Sequence, residues 1–214
     1  MSSRPELKLA WCSHKAAKYA VEHWHYSKSL PVGKVVRVGA WEAGRFIGCV
    51  LFSHGANRNL LSPYGLKQTD GCELTRVALA PHKSQTSRIV TIAVKMLSQQ
   101  SIRLIVSYAD MEQGHYGTIY QAMGWVYVGA ITQNSKAFYR GRIAHKRTFD
   151  CAGIKGYQMI ETREKHKYLM PLDNDMRKQI EPLRKPYPKR VTSDTSDTPS
   201  IHEGKGGAAP TVAL

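Results

Sequence analysis

Two β-rich runs, Val35 to Glu42 and Arg45 to His54, flank the dipeptide Ala43-Gly44, and this pattern constrains the fold more than any other feature of the chain. Glycine takes the positive φ of a tight turn at little cost, so the runs read as antiparallel strands joined by a short hairpin. Before them, Leu7 to Cys12 predicts a first strand and Ser13 an N-cap for a helix reaching about Tyr26. Ala17, Ala20, Val21 and Trp24 fall at helical spacing, which gives that helix one apolar face to lay on a sheet.

After the hairpin comes a polar, turn-rich stretch from Gly55 to Gly71, then a strand from Glu73 to Ala80 stopped by Pro81. Ser84-Gln85-Thr86-Ser87-Arg88 leads into a helix whose apolar positions are Ile89, Ile92, Ala93, Met96 and Leu97. Leu104 to Tyr108 predicts a further strand, Thr118 to Met123 a short helix stopped by Gly124, and Trp125 to Ile131 a strand. Ala137 to Ile143 is expected to supply the last strand. The expected class is therefore α/β, or α+β in detail: a mixed, mostly antiparallel sheet flanked by helices.

With 214 residues and 42% hydrophobic content, the chain can bury one substantial core. The expected division is a catalytic domain over 1–145, a basic extension over 146–190 and a disordered tail over 191–214, where Ser, Thr, Asp, Gly and Ala replace apolar residues. The formal charge of +15 attracts polyanions, nucleic acid first among them, although a generically basic surface would give the same sum. Cys12, Cys49, Cys72 and Cys151 are too scattered for a zinc site or a disulfide framework. With no signal segment and no run long enough to cross a bilayer, the expectation is a soluble cytoplasmic protein without a membrane partner. Monomer and homodimer both remain open.

The order of elements resembles the GNAT acetyltransferase fold across nearly all of residues 1–145. Its most specific piece is Ile119-Tyr120-Gln121-Ala122-Met123-Gly124-Trp125, similar to the Tyr-x-x-x-Gly-aromatic segment of that superfamily. The resemblance implies acetyl-CoA or a related acyl donor, bound at Ser84, Gln85, Thr86, Ser87 and Arg88 with Val77 and Leu79 on the preceding strand. A helix start with free N–H groups suits a pyrophosphate, but polar residues stand where the superfamily has glycines. A well-capped ordinary helix is the plain alternative.

His25-Tyr26-Ser27, Glu73-Leu74-Thr75-Arg76-Val77, and Tyr108-Ala109-Asp110 with Gly114-His115 and Tyr120 together resemble the Mom DNA-modification proteins of Mu-like phages. That family is GNAT-like and converts adenine in DNA to a carbamoylmethylated form that resists host restriction. The resemblance implies the same activity here, with His25, Tyr26, Asp110 and Tyr120 as the catalytic set and an iron held by His25 and Asp110. Asp110, at the carboxyl end of its strand, could orient the adenine amine or take its proton; its plainer role is to cap the next turn. Tyr120 could protonate a departing thiolate or simply fill the core. His23 and His25 lie two apart, so on a helix they would face nearly opposite ways, with His23 in solvent.

Arg37, Arg45, Arg58, Lys67, Arg76, Arg140 and Arg142 are candidate DNA-phosphate contacts, followed by Lys146 and Arg147. A paired adenine hides its amine, so an enzyme acting on it must extrude the base or take a single strand, with Tyr26, Trp41 or Tyr64 as a stacking surface. A conventional N-acetyltransferase of a protein or small amine, and a non-catalytic nucleic-acid-binding relative of the fold, are the competing readings.

Overall fold

A computed structural model of the chain describes residues 5–55, 57–132, 136–160 and 164–189. The chain begins with β1 (Leu7–Trp11) and α1 (His14–Trp24), followed by the hairpin of β2 (Val35–Glu42) and β3 (Arg45–Ser53). Ser13 caps α1 by accepting from the Ala16 N–H, and the helix buries Ala17, Ala20 and Val21 against Cys49, Leu51 and Ala78. Ala43 and Gly44 turn the hairpin with φ of 48° and 77°, so both central residues of the turn are left-handed.

The next elements are β4 (Gly71–Leu79), α2 (Thr86–Ser98), β5 (Leu104–Asp110), α3 (Thr118–Ala122) and β6 (Val126–Ile131). All fall within a few residues of their expected positions. A seven-stranded sheet results, in the order β1-β2-β3-β4-β5-β10-β6, where β10 is Lys165–Pro171. Every neighbouring pair is antiparallel except β4 and β5. The expected class, a mixed and mostly antiparallel sheet flanked by helices, is the one observed. On one side the core holds Phe52, Leu74, Ile105 and Trp125 beneath α2, whose Ile89, Val90, Ala93 and Val94 are buried.

Two expectations change. Ala137 to Ile143 is not one strand of the central sheet but a second hairpin, β7 (Lys136–Tyr139) and β8 (Arg142–His145), turned at Arg140 and Gly141 with φ of 45° and 78°. It forms a separate three-stranded sheet with β9 (Gln158–Met159) and is backed by α4 (Lys146–Cys151). Nor does the sheet stop near residue 145, because β10 comes from the segment expected to be a basic extension and inserts between β5 and β6. Its buried His166, Tyr168 and Leu169 alternate with Lys165 and Lys167, and the charged residues hid the strand pattern. After it, α5 (Asn174–Ile180) buries Met176 and Ile180, and the Tyr187 hydroxyl donates to the Trp125 carbonyl 2.7 Å away. The tail expectation for 191–214 lies outside the described residues.

Candidate active site

The site begins where β4 and β5 separate. Their parallel ladder runs from Gly71 opposite Leu104 to Leu74 opposite Ser107 and then stops. From Thr75 onward, β4 stays paired with β3 but its other edge faces a gap. Ser107 sits at the apex, with its Oγ 3.0 Å from the Leu74 carbonyl and 2.8 Å from the Tyr120 hydroxyl. A carbonyl only accepts, so Ser107 donates to Leu74 and is left to accept from Tyr120. Burial pushes the Tyr120 phenol up to about 12, which keeps its proton in place across the working pH range.

His25, Tyr26, Asp110 and Tyr120, the four expected catalytic residues, line one cleft at this gap together with Arg76, Val77, Tyr108 and His115. α1 ends at Trp24, two residues earlier than expected, so His25 leaves the helix and the opposite-faces argument for His23 and His25 does not apply to it. His25 is buried, whereas His23 is exposed and hydrogen-bonded to the Tyr19 carbonyl. The Ser27 backbone N–H donates to His25 Nδ1 at 3.1 Å, and the Ser27 hydroxyl lies 2.8 Å from the same nitrogen. Because a backbone N–H cannot accept, the neutral ring must carry its proton on Nε2. Desolvation, aided by Arg76, His115 and Lys28, lowers the His25 pKa to about 4 and keeps the ring neutral.

Tyr26 is half exposed beside His25, with ring centroids 4.3 Å apart, and its edge faces His115. Asp110 fulfils the capping role, accepting from the Glu112 N–H at 3.0 Å, while its other oxygen lies 3.4 Å from Lys165. Iron held by His25 and Asp110 is not supported. The tautomer that Ser27 selects covers Nε2 with a proton, both Asp110 oxygens have partners, and among the described residues no three His, Cys, Asp or Glu come together.

The expected donor loop is only partly free. Glu42, at the end of β2, accepts from the backbone N–H groups of Lys83 at 2.9 Å and Ser84 at 2.7 Å. The Lys83 N–H, then Ser84, hold its carboxyl at about 2. An internal carboxylate thus already occupies those two amides, and Ser84 is buried. Gln85 is the N-cap of α2 without a side-chain bond, which leaves the first-turn N–H groups of Thr86 and Ser87 without a capping acceptor among the described residues. Arg88 is exposed beside them, and Val77 and Leu79 lie on the part of β4 past the split. The fit to an anionic donor rests on Thr86, Ser87 and Arg88 rather than on the loop as a whole.

Of the candidate phosphate contacts, Arg76 lines the cleft. Arg37 is half-buried and donates to the Val35 carbonyl, and Arg45 donates to the Pro81 carbonyl near the α2 loop. Arg58 and Lys67 are exposed in the 55–71 stretch, and Arg140 and Arg142 are exposed on the β7–β8 hairpin. Among the aromatic candidates only Tyr26 lines this cleft; Trp41 lines a separate hollow beside β1, and Tyr64 is buried under Lys167.

Sequence reasoning did not single out Glu73 or Ser107. Glu73 is largely buried, and desolvation raises its carboxyl to about 7 despite Arg76 and Lys165. Its signal was an acidic residue between Cys72 and Leu74 in a central strand. Ser107 carried no signal, since its role depends on where β4 and β5 part.

With this geometry in place, a model of the Mom protein family matches residues 6–189. The chain belongs to the Mom family. The methylcarbamoylase Mom of Escherichia phage Mu is 24% identical over 208 residues, spanning 86% of this chain and 84% of its own. Among solved structures, an N-acetyltransferase from Staphylococcus aureus overlaps at a TM-score of 0.49 with 12% identity, covering 79% of this chain and 99% of its own. An acetyltransferase from Bacillus subtilis in complex with CoA overlaps at 0.49 with 11% identity, covering 78% and 99%. The family match extends past residue 145 through β10 and α5. Among the described residues, no helix of this Mom-family chain is long and apolar enough to cross a membrane.

Proposed function

We propose that this protein is a transferase that modifies adenine in DNA, placing a small two-carbon amide unit on the exocyclic nitrogen and so shielding phage DNA from host restriction. The observation that carries the reading is the convergence of His25, Tyr26, Arg76, Asp110 and Tyr120 in one cleft of a Mom-family chain with a charge of +15.

Each residue has work that its surroundings permit. Tyr26 presents a half-exposed ring on which an extruded adenine can stack. Asp110 lies within the same cleft to accept a hydrogen bond from the adenine amine and then its proton, with Lys165 stabilising the carboxylate. His25 acts as a neutral donor through Nε2–H rather than as a base, because its other nitrogen is engaged by Ser27. That donor suits a carbonyl oxygen on which charge develops. Tyr120, bonded to Ser107, holds a proton for a leaving group. Arg76 meets phosphate at the cleft wall, with Arg37, Arg45, Arg58, Lys67, Arg140 and Arg142 spread over the surface beyond it.

The donor is acetyl-CoA or a related activated acyl compound, held through the Thr86 and Ser87 amides and Arg88. Attack of the amine on a simple thioester would leave an N-acetyl group and release a thiol. A carbamoylmethyl group instead joins through CH2 and carries a second nitrogen, so its formation calls for a reactant that supplies that nitrogen. Because a C–H bond of an acetyl methyl would have to give way to C–N, it also calls for a donor with a leaving group on that carbon or a two-electron oxidant. Plasmid from cells expressing the wild type should resist restriction enzymes whose sites contain adenine, and plasmid from cells expressing Asp110→Ala should be cut. Equal cutting of both, with both proteins folded and expressed, would refute the reading.

A further inference from the structure

The β7–β8 hairpin has one covered face and one open face. Directly opposed residues share a face and alternate along the strands. Ala137 opposes Ala144 and Tyr139 opposes Arg142 on one side, where buried Phe149 of α4 packs against the Tyr139 ring at 6.0 Å. Phe138 opposes Ile143 on the other side. Phe138 is 39% exposed and Ile143 is 62% exposed. A cross-strand apolar pair left open to water signals a partner, and the surrounding charge says which kind.

Arg140 stands in the turn and Arg142 follows it, with Lys146 and Arg147 just beyond, all exposed. Lys136, at the base of the hairpin, forms an ion pair with Glu112, and Glu112 donates its N–H to Asp110 in the cleft. The hairpin is therefore tethered to the rim of the candidate active site. Two residues of strand, roughly 7 Å, separate that tether from Phe138.

We propose that this hairpin is the wedge that opens duplex DNA beside the target base, with Phe138 and Ile143 entering the base stack while Arg140 and Arg142 hold the flanking phosphates. The inference rests on the DNA reading above and adds to it the means of reaching a paired adenine. Apolar side chains with cations on the same hairpin suit a part that separates stacked bases. Arg142, opposite Tyr139, and Arg140, over the Tyr139 ring at 5.4 Å, stand toward the other face, and extrusion leaves a gap that the apolar pair can fill. The cations of the hairpin fit a polyanion and disfavour a second copy of the same basic hairpin.

Permanganate oxidation of thymines that have lost pairing and stacking tests this directly, using the full chain on plasmid duplex without any donor. The wild type should raise reactivity at thymines opposite extruded adenines. The double variant Phe138→Ala with Ile143→Ala should lower it about tenfold at matched occupancy, and Phe138→Trp should retain it. Both side chains are exposed, and circular dichroism with gel filtration checks that the variants keep the fold. Undiminished reactivity in the double variant would overturn the wedge and leave the DNA reading intact. So would a wild-type dimer that dissociates on the double substitution, or a bound duplex that shows no reactive thymine. Failure of the wild type to bind duplex at low salt would instead remove the DNA reading itself.

Discussion

Two buried side chains give opposite pH signatures. His25 falls from 6.5 to about 4 through desolvation, so the unfolded chain takes the proton first. Its contribution to stability is therefore lost as pH falls from 6.5, and the loss stops growing below about 4. Glu73 rises from 4.5 to about 7, again through desolvation, so the unfolded carboxyl ionises first and stability declines as pH rises from 4.5 to 7. Glu73→Gln should accordingly gain roughly 2 kcal/mol at pH 8 and little at pH 4.5, as urea titrations at the two values would show. Tyr120→Phe removes the hydroxyl beside Ser107 while keeping the ring among Trp125 and Tyr168. It should cut modification 10²-fold or more and cost only about 1 kcal/mol of stability, measured by product yield and thermal melting. The four catalytic candidates came from the resemblance to the Mom family, and the fold brings them to one cleft. Ser107 was not legible in the sequence, since only the parting of two strands gives it a task.

At the scale of elements, the candidate site lies where β4 and β5 part, and β4 remains paired with β3 behind it. Gly48 of β3 has φ of 134°, and a Cβ there would lie 2.0 Å from the Ala78 carbonyl oxygen. Gly48→Ala should cost about 3 kcal/mol or more, read as a lower midpoint in denaturant. Helices and strands with sequence-local signals were placed within a few residues, as Ser13 at α1 and Ala43-Gly44 in the first hairpin illustrate. β10 was hidden because its partners, Asp110 to Leu104 and Ile131 to Val126, lie far away in sequence and two of its part-buried positions are lysines. The second hairpin was read as one strand because Arg140 gives no warning of a left-handed turn, although Gly141 does.

For the whole molecule, a sheet completed by β10 makes residues 1–145 an incomplete unit. That fragment should fail to give a cooperative unfolding transition, whereas the full chain should give one. The strongly positive charge belongs to association: Arg140→Ala with Arg142→Ala should lower the slope of log affinity for duplex against log salt by about two, reflecting two lost phosphate contacts. The central claim is that the cleft modifies adenine, and mass spectrometry of nucleosides digested from plasmid DNA of expressing cells tests it most directly. A heavier deoxyadenosine is predicted with the wild type and is absent with Asp110→Ala. Unchanged deoxyadenosine in DNA from cells making well-folded wild-type protein would contradict the account.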